Sequence, residues 1–305
     1  MSSEREFIRQ LQNRFQNRFP VTVGIGDDGA VIDVERETEQ VIVTDLLLDG
    51  VHFDLANTSP EMAGRKAVAV NLSDLAAMAC RPTAAFVSIA SPHNLSETET
   101  FLNRLYDGME DLARQYEFTI AGGDTNRWNG PFAINVCLTG IPFAKTAMLR
   151  SSARPGDSLF VTGPLGGSLP SGRHLSFEPR LNAANWLATN TNIHAMMDIS
   201  DGLSIDLNRM MEASGTGAII TAANIPIHSD VSLSLPARTR LDHALNDGED
   251  FELLIAAPNF PEVTPFPEDI TIIKIGEVTH DRGQCQIRSS DGKIEVLPEK
   301  GWQHL

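Results

Sequence analysis

At 305 residues, 42% of them hydrophobic, the chain is long enough for two globular domains of ordinary size, each with its own core. The formal net charge of −16, from 40 acidic against 24 basic residues, argues against nucleic acid or an anionic membrane surface as a partner. It also leaves a surplus of carboxylates that cations could neutralise.

The N-terminal stretch MSSEREFIRQLQNRFQNRF places Ile8, Leu11 and Phe15 at helical spacing on a charged background, which predicts an amphipathic helix and not a signal peptide. No run approaches the roughly 20 apolar residues of a membrane span. GIGDDG, residues 24–29, then matches G-x-G-x-x-G to the letter. A dinucleotide site needs a helix directly after its glycines, with its N-terminus free to face a pyrophosphate. Here Asp27 and Asp28 sit inside the motif, and the following AVIDVERETEQVIV alternates and is rich in β-branched residues. It predicts strand, turn, strand, so the paired aspartates point to a cation and not to a dinucleotide.

From there to about residue 143, strands and helices alternate: VIVTD, a helix over EMAGRKAVAVNLSDLAAMA, the strand TAAFVSIA, a helix from about Glu97 to Tyr116, then FTIAGGDT and FAINVCLTGI. The polar segment KTAMLRSSARPGD, with Pro155 and Gly156, marks a boundary between domains 1–145 and 146–305. The second unit holds SLFVTG, the glycine-rich PLGGSLPSG, a helix before AMMDISDG, a helix through LSIDLNRMMEAS, and strands at AIITA, FELLIAA and ITIIKIGEV. Cys80, Cys137 and Cys285 are odd in number and far apart, which disfavours disulfides and zinc. Cys80 and Cys137 are expected in the core, and a reducing cytoplasm is the expected compartment.

Aspartates follow apolar strand-like runs: Asp45 after VIVT, Asp124 after TIAGG, Asp198 after AMM. Strand ends are where α/β folds build sites. Asp74 falls in a helix three residues from Asn71, and ISDGL suggests a helix start capped by Ser200 or Asp201. Oxygen ligands of this kind suit Mg²⁺, which uses a few carboxylates together with substrate phosphates. No P-loop, kinase catalytic loop or EF-hand pattern is present, so any ATP here would depend on metal ions for its phosphates.

Taken together, GIGDDGAV, VTDLLLDGVHF, AVNLSDLAAMA, AGGDTNR, RSSARPGDSLFVTGPLGGS, MDISDGLSIDL, GEDFELL and IGEV resemble the thiamine-monophosphate kinase family in order and spacing. The resemblance implies an α/β (α+β), two-domain aminoimidazole ribonucleotide synthetase-like fold, a homodimer formed through the N-terminal sheet, and Mg²⁺-assisted transfer of the γ-phosphoryl of ATP to thiamine monophosphate. It implies Mg²⁺ ligands at Asp28, Thr44, Asp45, Asp74, Asp124, Asp198 and Asp201. ATP contacts are implied at Gly123, Asp124, Arg150 and Ser200, and the substrate end at His52, Glu249 and Trp302. On this basis Asp45 and Asp124 share an ion on the triphosphate, with Asp28, Asp74 and Asp198 bridging towards the acceptor. Arg127 is a second candidate for the phosphates. The chain departs from the family pattern at Val43, at S-S-A-R-P-G-D, and in the short stretch LPSGRHLSFEPR. Aminoimidazole ribonucleotide synthetase is the alternative activity, and an inactive homologue that binds nucleotide or divalent ions is the non-enzymatic one.

Overall fold

The computed structural model describes residues 21–23, 26–34, 38–258, 260, 267–268 and 270–302. The helix expected around Ile8, Leu11 and Phe15, and Gly24 of GIGDDG, lie outside the described residues. Six strands form the first sheet: β1 (Val21–Val23), β2 (Ala30–Val34), β3 (Thr38–Leu48), β4 (Cys80–Pro92), β5 (Thr119–Trp128) and β6 (Ala133–Pro142), in the order β1-β2-β3-β6-β4-β5. Only β4 and β5 pair in parallel. A strand and not a helix follows GIGDDG, which removes the element a dinucleotide fingerprint needs.

Two helices cover one face of this sheet. The first, α1 (Pro60–Ala77), starts at Ser59, whose Oγ accepts the Met62 N–H at 3.3 Å, with Pro60 at its first position. Its buried residues run round the whole helix, as expected of one enclosed on all sides. The second, α2 (Thr98–Gln115), is amphipathic and buries Leu105, Gly108, Met109, Leu112 and Ala113. The two cross through a pair of glycines. A Cβ on Gly64 would lie 2.0 Å from the Leu105 carbonyl oxygen, and one on Gly108 would lie 1.9 Å from that of Glu61. This close approach sets the depth of α1, and α1 carries Asp74.

Seven strands form the second sheet: β7 (Ser158–Val161), β8 (Ala195–Ile199), β9 (Gly217–Thr221), β10 (Glu252–Ala257), β11 (Ile273–Thr279), β12 (Cys285–Arg288) and β13 (Ile294–Val296), ordered β13-β12-β9-β11-β7-β10-β8. The helices here are the single turn α3 (Ser168–Ser171), α4 (Leu181–Asn190), α5 (Leu203–Ser214) and α6 (Ala237–Asn246). Strand β10 is buried on both faces, which is why Leu253–Ala257 form an unbroken apolar run; Glu252 at its start is buried against Arg180 and Thr162. Leu253 and Ile255 join a core that also contains Leu72 and Leu75 of α1, whereas Leu254 and Ala256 pack with Leu203 and Leu207 of α5. One core is therefore continuous from the first sheet, through α1, to one face of the second.

Several expectations need correction. Asp45 and Asp124 do not end their strands. Leu46, Leu47 and Leu48 continue the antiparallel pairing of β3 to Ala133, and β5 runs on to Trp128, so both aspartates sit mid-strand. Asp198 is followed by Ile199 within β8. The cap of α5 is Gly202; the Asp206 side chain reaches back to accept the N–H groups of Asp201 and Gly202, each at 3.1 Å. Cys80 and Cys285 are buried, but Cys137 is only half-buried because it faces the side of the first sheet that, among the described residues, no helix covers. Among the described residues, no helix is long and apolar enough to cross a membrane.

Candidate active site

The C-terminal ends of α1 and β8, the middle of β3 and the GIGDDG turn meet where the two sheets approach. Carboxylate oxygens of Asp28, Asp74 and Asp198 all lie within 4.8 Å of one another. Asp198 is anchored by the Ser73 hydroxyl, which donates to Oδ2 at 2.7 Å. Arg150 reaches Asp28 through two of its nitrogens, one at 3.2 Å, and stands 3.7 Å from Asp27.

Electrostatics set this cluster apart. Burial pushes Asp45 up to about 6, and Glu249, Asp201 and Asp28 add to the rise while a hydrogen bond from Asp74 opposes it. Asp74 and Asp198 are held well above the ordinary carboxylate range, first by burial and then by neighbouring aspartates, with Arg150 pulling the other way. Asp27 and Asp206 are each pushed up to about 7, again mainly by burial. Carboxylates crowded out of water need positive charge beyond what Arg150 supplies. Oxygens sharing one Mg²⁺ at about 2.1 Å lie within about 4.2 Å of each other, so the spacing of Asp28, Asp74 and Asp198 fits a hard divalent ion after small adjustments.

Beside the cluster lies a cleft with about 220 Å³ of free volume, lined by Asp45, Leu46, Leu47, Val51, His52, Lys66, Val70, Asp74, Leu169, Asp198, Ser200, Asp201, Asp247, Glu249, Phe251 and Trp302. Its lining combines acidic side chains with apolar ones such as Val51, Val70, Phe251 and Trp302. The turn carrying Glu249 is fixed to the turn after β8: the Glu249 N–H donates to the Ser200 carbonyl at 2.6 Å, and that of Phe251 to Ile199 at 2.8 Å. Glu249 and Phe251 both have left-handed backbones, φ 56° and 53°. Such strain in non-glycine residues persists only where the surroundings impose it. The tail closes the cleft, because the Trp302 N–H donates to the Asp201 carbonyl at 3.0 Å and the Ser204 hydroxyl to the Lys300 carbonyl.

Comparison with known proteins follows the same lines. The AIR synthase related protein N-terminal domain model matches residues 26–142 and its C-terminal domain model matches residues 154–287. The thiamine-monophosphate kinase of Rhodopirellula baltica is 39% identical over 317 residues, covering 99% of this chain and 97% of the relative. That of Bacillus subtilis is 33% identical, covering 99% of each. The chain belongs to the thiamine-monophosphate kinase family. A solved structure of AaThiL complexed with AMPPCP and TMP superposes with TM-score 0.79 at 28% identity, covering 99% of this chain and 97% of that one. The Aquifex aeolicus thiamine-monophosphate kinase gives 0.75 at 26%, covering 94% and 96%.

Among the residues expected at a thiamine-monophosphate kinase site, Asp45, His52, Asp74, Asp198, Ser200, Asp201, Glu249 and Trp302 line the one cleft, and Asp28 and Arg150 join it through the carboxylate cluster. Thr44, Gly123 and Asp124 do not. Thr44 alternates with Asp45 and is exposed on the uncovered face, accepting a hydrogen bond from Asn135 at 2.9 Å. The register Asp45–Val136–Val87–Gly123 crosses three inter-strand gaps, so Asp45 and the Gly123–Asp124 pair lie about 14 Å apart in one chain. An ion shared by Asp45 and Asp124 of the same chain is therefore ruled out. Gly123 is required where it stands: its φ is 156°, and a Cβ would lie 1.8 Å from the Val87 carbonyl oxygen. Arg127 donates to Thr98 at 2.8 Å and lines a separate recess of about 500 Å³ with Ser91, Tyr106 and Asn126.

Asp201 is less open than the motif suggests, being paired with Arg209, which also holds Asp206 at 2.9 Å. Lys66, Ser73, His174 and Arg209 escaped the sequence reading. A signal for Lys66 was present: Lys66, Val70 and Asp74 recur at i, i+4 and i+8 and all line the cleft. Asn71, the residue matched to Asp74 by spacing, is instead buried, with its Nδ2 on the Ala67 carbonyl at 3.0 Å.

Proposed function

We propose that this chain transfers the γ-phosphoryl group of ATP to thiamine monophosphate, forming thiamine diphosphate. The observation that carries the reading is the carboxylate cluster of Asp28, Asp74 and Asp198 beside a cleft lined by both acidic and apolar side chains. Relatives named for this activity, and the similar structure of AaThiL complexed with AMPPCP and TMP, support the choice of substrates. Mg²⁺ is the proposed ion, held by Asp28, Asp74 and Asp198 with Asp45 alongside; when bound it screens the charges of the two phosphate-bearing substrates and of the transferring group.

The protein's own contribution is placement. Two phosphates brought to about 4 Å repel by about 1 kcal/mol per pair of unit charges in water, and more in a drier site. Arg150, fixed by Asp27 and Asp28, adds permanent positive charge at that meeting point. A general base is unnecessary, since a phosphate monoester is largely ionised near neutral pH, with a second pKa of about 6. His52 accepts the Leu48 N–H at Nδ1 at 3.0 Å, so its neutral ring carries its proton on Nε2 as a donor. His52, Glu249, Trp302 and the apolar side chains of the cleft are proposed to hold the thiamine moiety. Incubation with ATP, Mg²⁺ and thiamine monophosphate should give thiamine diphosphate; turnover of an aminoimidazole precursor instead would overturn the assignment.

A homodimer is proposed through the uncovered face of the first sheet, where Leu46 and Phe86 are 56% and 45% exposed. Thr44 and Asp124 share that face, so their proposed roles with the ion and ATP depend on a second copy. The recess lined by Thr125, Asn126 and Arg127 suits the base of the nucleotide: the Ser91 hydroxyl there is buried and has no partner among the described atoms. Residues 1–145 and 146–305 are proposed as the two domains of each subunit. Mixing inactive Asp74→Asn and Asp124→Asn subunits should restore up to about a quarter of wild-type activity, since half of the dimers would carry one intact site. No recovery on subunit exchange would sink the shared-site model.

A further inference from the structure

At the floor of the cleft, Lys66 is fully buried; burial lowers the pKa of its ammonium from the ordinary lysine range, and the paired Glu249 carboxylate opposes that fall. Its Nζ donates to the His52 carbonyl at 2.7 Å, to Nδ1 of His174 at 2.9 Å and to Oε2 of Glu249. An ammonium has three donors and no acceptor, so every donor is committed and His174 must accept at Nδ1. The three acceptors belong to separate walls: the turn after β3, the segment after α3, and the left-handed turn before β10. They stand 14, 108 and 183 residues from Lys66 in the chain.

Burying a charge costs several kcal/mol per ion, and an apolar side chain of the same volume commonly packs as well or better. Stability alone therefore explains this lysine poorly. Its effect on Glu249 explains it better. The Glu249 carboxylate is anchored through Oε2, with His174 also 3.5 Å away, while Oε1 has no hydrogen bond among the described residues. Burial would raise the Glu249 carboxyl, but the Lys66 ammonium on Oε2 opposes this, and the carboxyl is held below its ordinary range. One oxygen is thus tied to the floor and the other left for a ligand, on a backbone that is strained and would otherwise be free to relax.

We infer that Lys66, braced by His174, is a positioning residue for the acceptor: it fixes the Glu249 carboxylate and the His52 turn at one spacing, so that Glu249 Oε1 meets a cationic or amino-bearing heterocycle. The inference rests on the reading of Glu249 and His52 as the thiamine end of the cleft. Lys66 stands apart from the Asp28, Asp74 and Asp198 cluster, so its loss acts on one substrate and not on the other.

The test is Lys66→Met in the full-length protein. Steady-state kinetics and calorimetric titrations are run with thiamine monophosphate and with ATP or its non-hydrolysable analogue. We expect KM and Kd for thiamine monophosphate to rise at least tenfold while those for ATP change less than threefold. His174→Ala, which keeps the charge but removes one brace, gives a smaller rise of the same selectivity and serves if Lys66→Met does not fold. Equal weakening of both substrates, or a lowered melting temperature with unchanged acceptor affinity, overturns the inference. If the wild-type protein itself neither binds nor phosphorylates thiamine monophosphate, the reading of the site fails, and this inference with it.

Discussion

Asp74→Asn is expected to lower kcat by roughly 100-fold or more without unfolding the protein. Asp74 is the hub of the acidic cluster: burial, then Asp45, Asp198 and Asp28, raise its pKa, and Arg150 lowers it. The amide keeps the shape of the carboxylate and removes its charge. Without metal, that removes repulsion from a crowded interior, so the melting temperature of the metal-free variant should equal or exceed that of wild type. Loss of function without loss of stability separates a ligand from a structural residue. Asp33→Asn is the matched control, on an exposed position of β2; it should leave both quantities unchanged. A near-normal rate in Asp74→Asn would remove the cluster from the chemistry.

The second large effect concerns pH and divalent ions together. In the fold, Asp45 is raised to about 6 and Asp206 to about 7, from an ordinary value of 3.8, and Asp74 and Asp198 are also raised. A carboxyl with a raised folded-state pKa contributes stability that is fully present below its unfolded pKa and lost as pH climbs through the folded one. Metal-free protein should therefore weaken between about pH 4 and pH 8. Magnesium bound at the ionised cluster, as proposed, should reverse this, with less effect where those groups are protonated. At a hundredfold excess over Kd, one ion adds about 2.7 kcal/mol, worth roughly 5 °C in a protein of this size. Melting curves in chelator and in Mg²⁺ should diverge at pH 8 and converge near pH 5. Parallel curves at every pH would contradict the linkage.

Much of the fold was legible in one sequence. Periodicity marked α1, α2 and α5, the strand after GIGDDG, and the doubly buried β10. Chemistry at the ends of elements was harder to place. VIVTD looks finished at its aspartate, yet Leu46–Leu48 extend β3 because β6 continues to offer partners as far as Ala133. The motif ISDG proposed Ser200 or Asp201 as a cap, but the cap is Gly202, and Asp206, one turn into the helix, reaches back to the N–H groups of Asp201 and Gly202. Facing was the larger loss. Thr44 and Asp45 are neighbours in sequence and lie on opposite faces of a sheet, so a set of ligands read as one string separates into a cleft group and an uncovered-face group. Lys66 was hidden for the opposite reason, since its acceptors come from three distant segments.

Crystals grown with Mn²⁺ and a non-hydrolysable ATP analogue, examined for anomalous scattering, would test most directly whether metal joins the phosphates at this cluster. Manganese peaks coordinated by Asp28, Asp74 and Asp198 and touching the terminal phosphate are the predicted result. Phosphates bound with no manganese among those three side chains would contradict it.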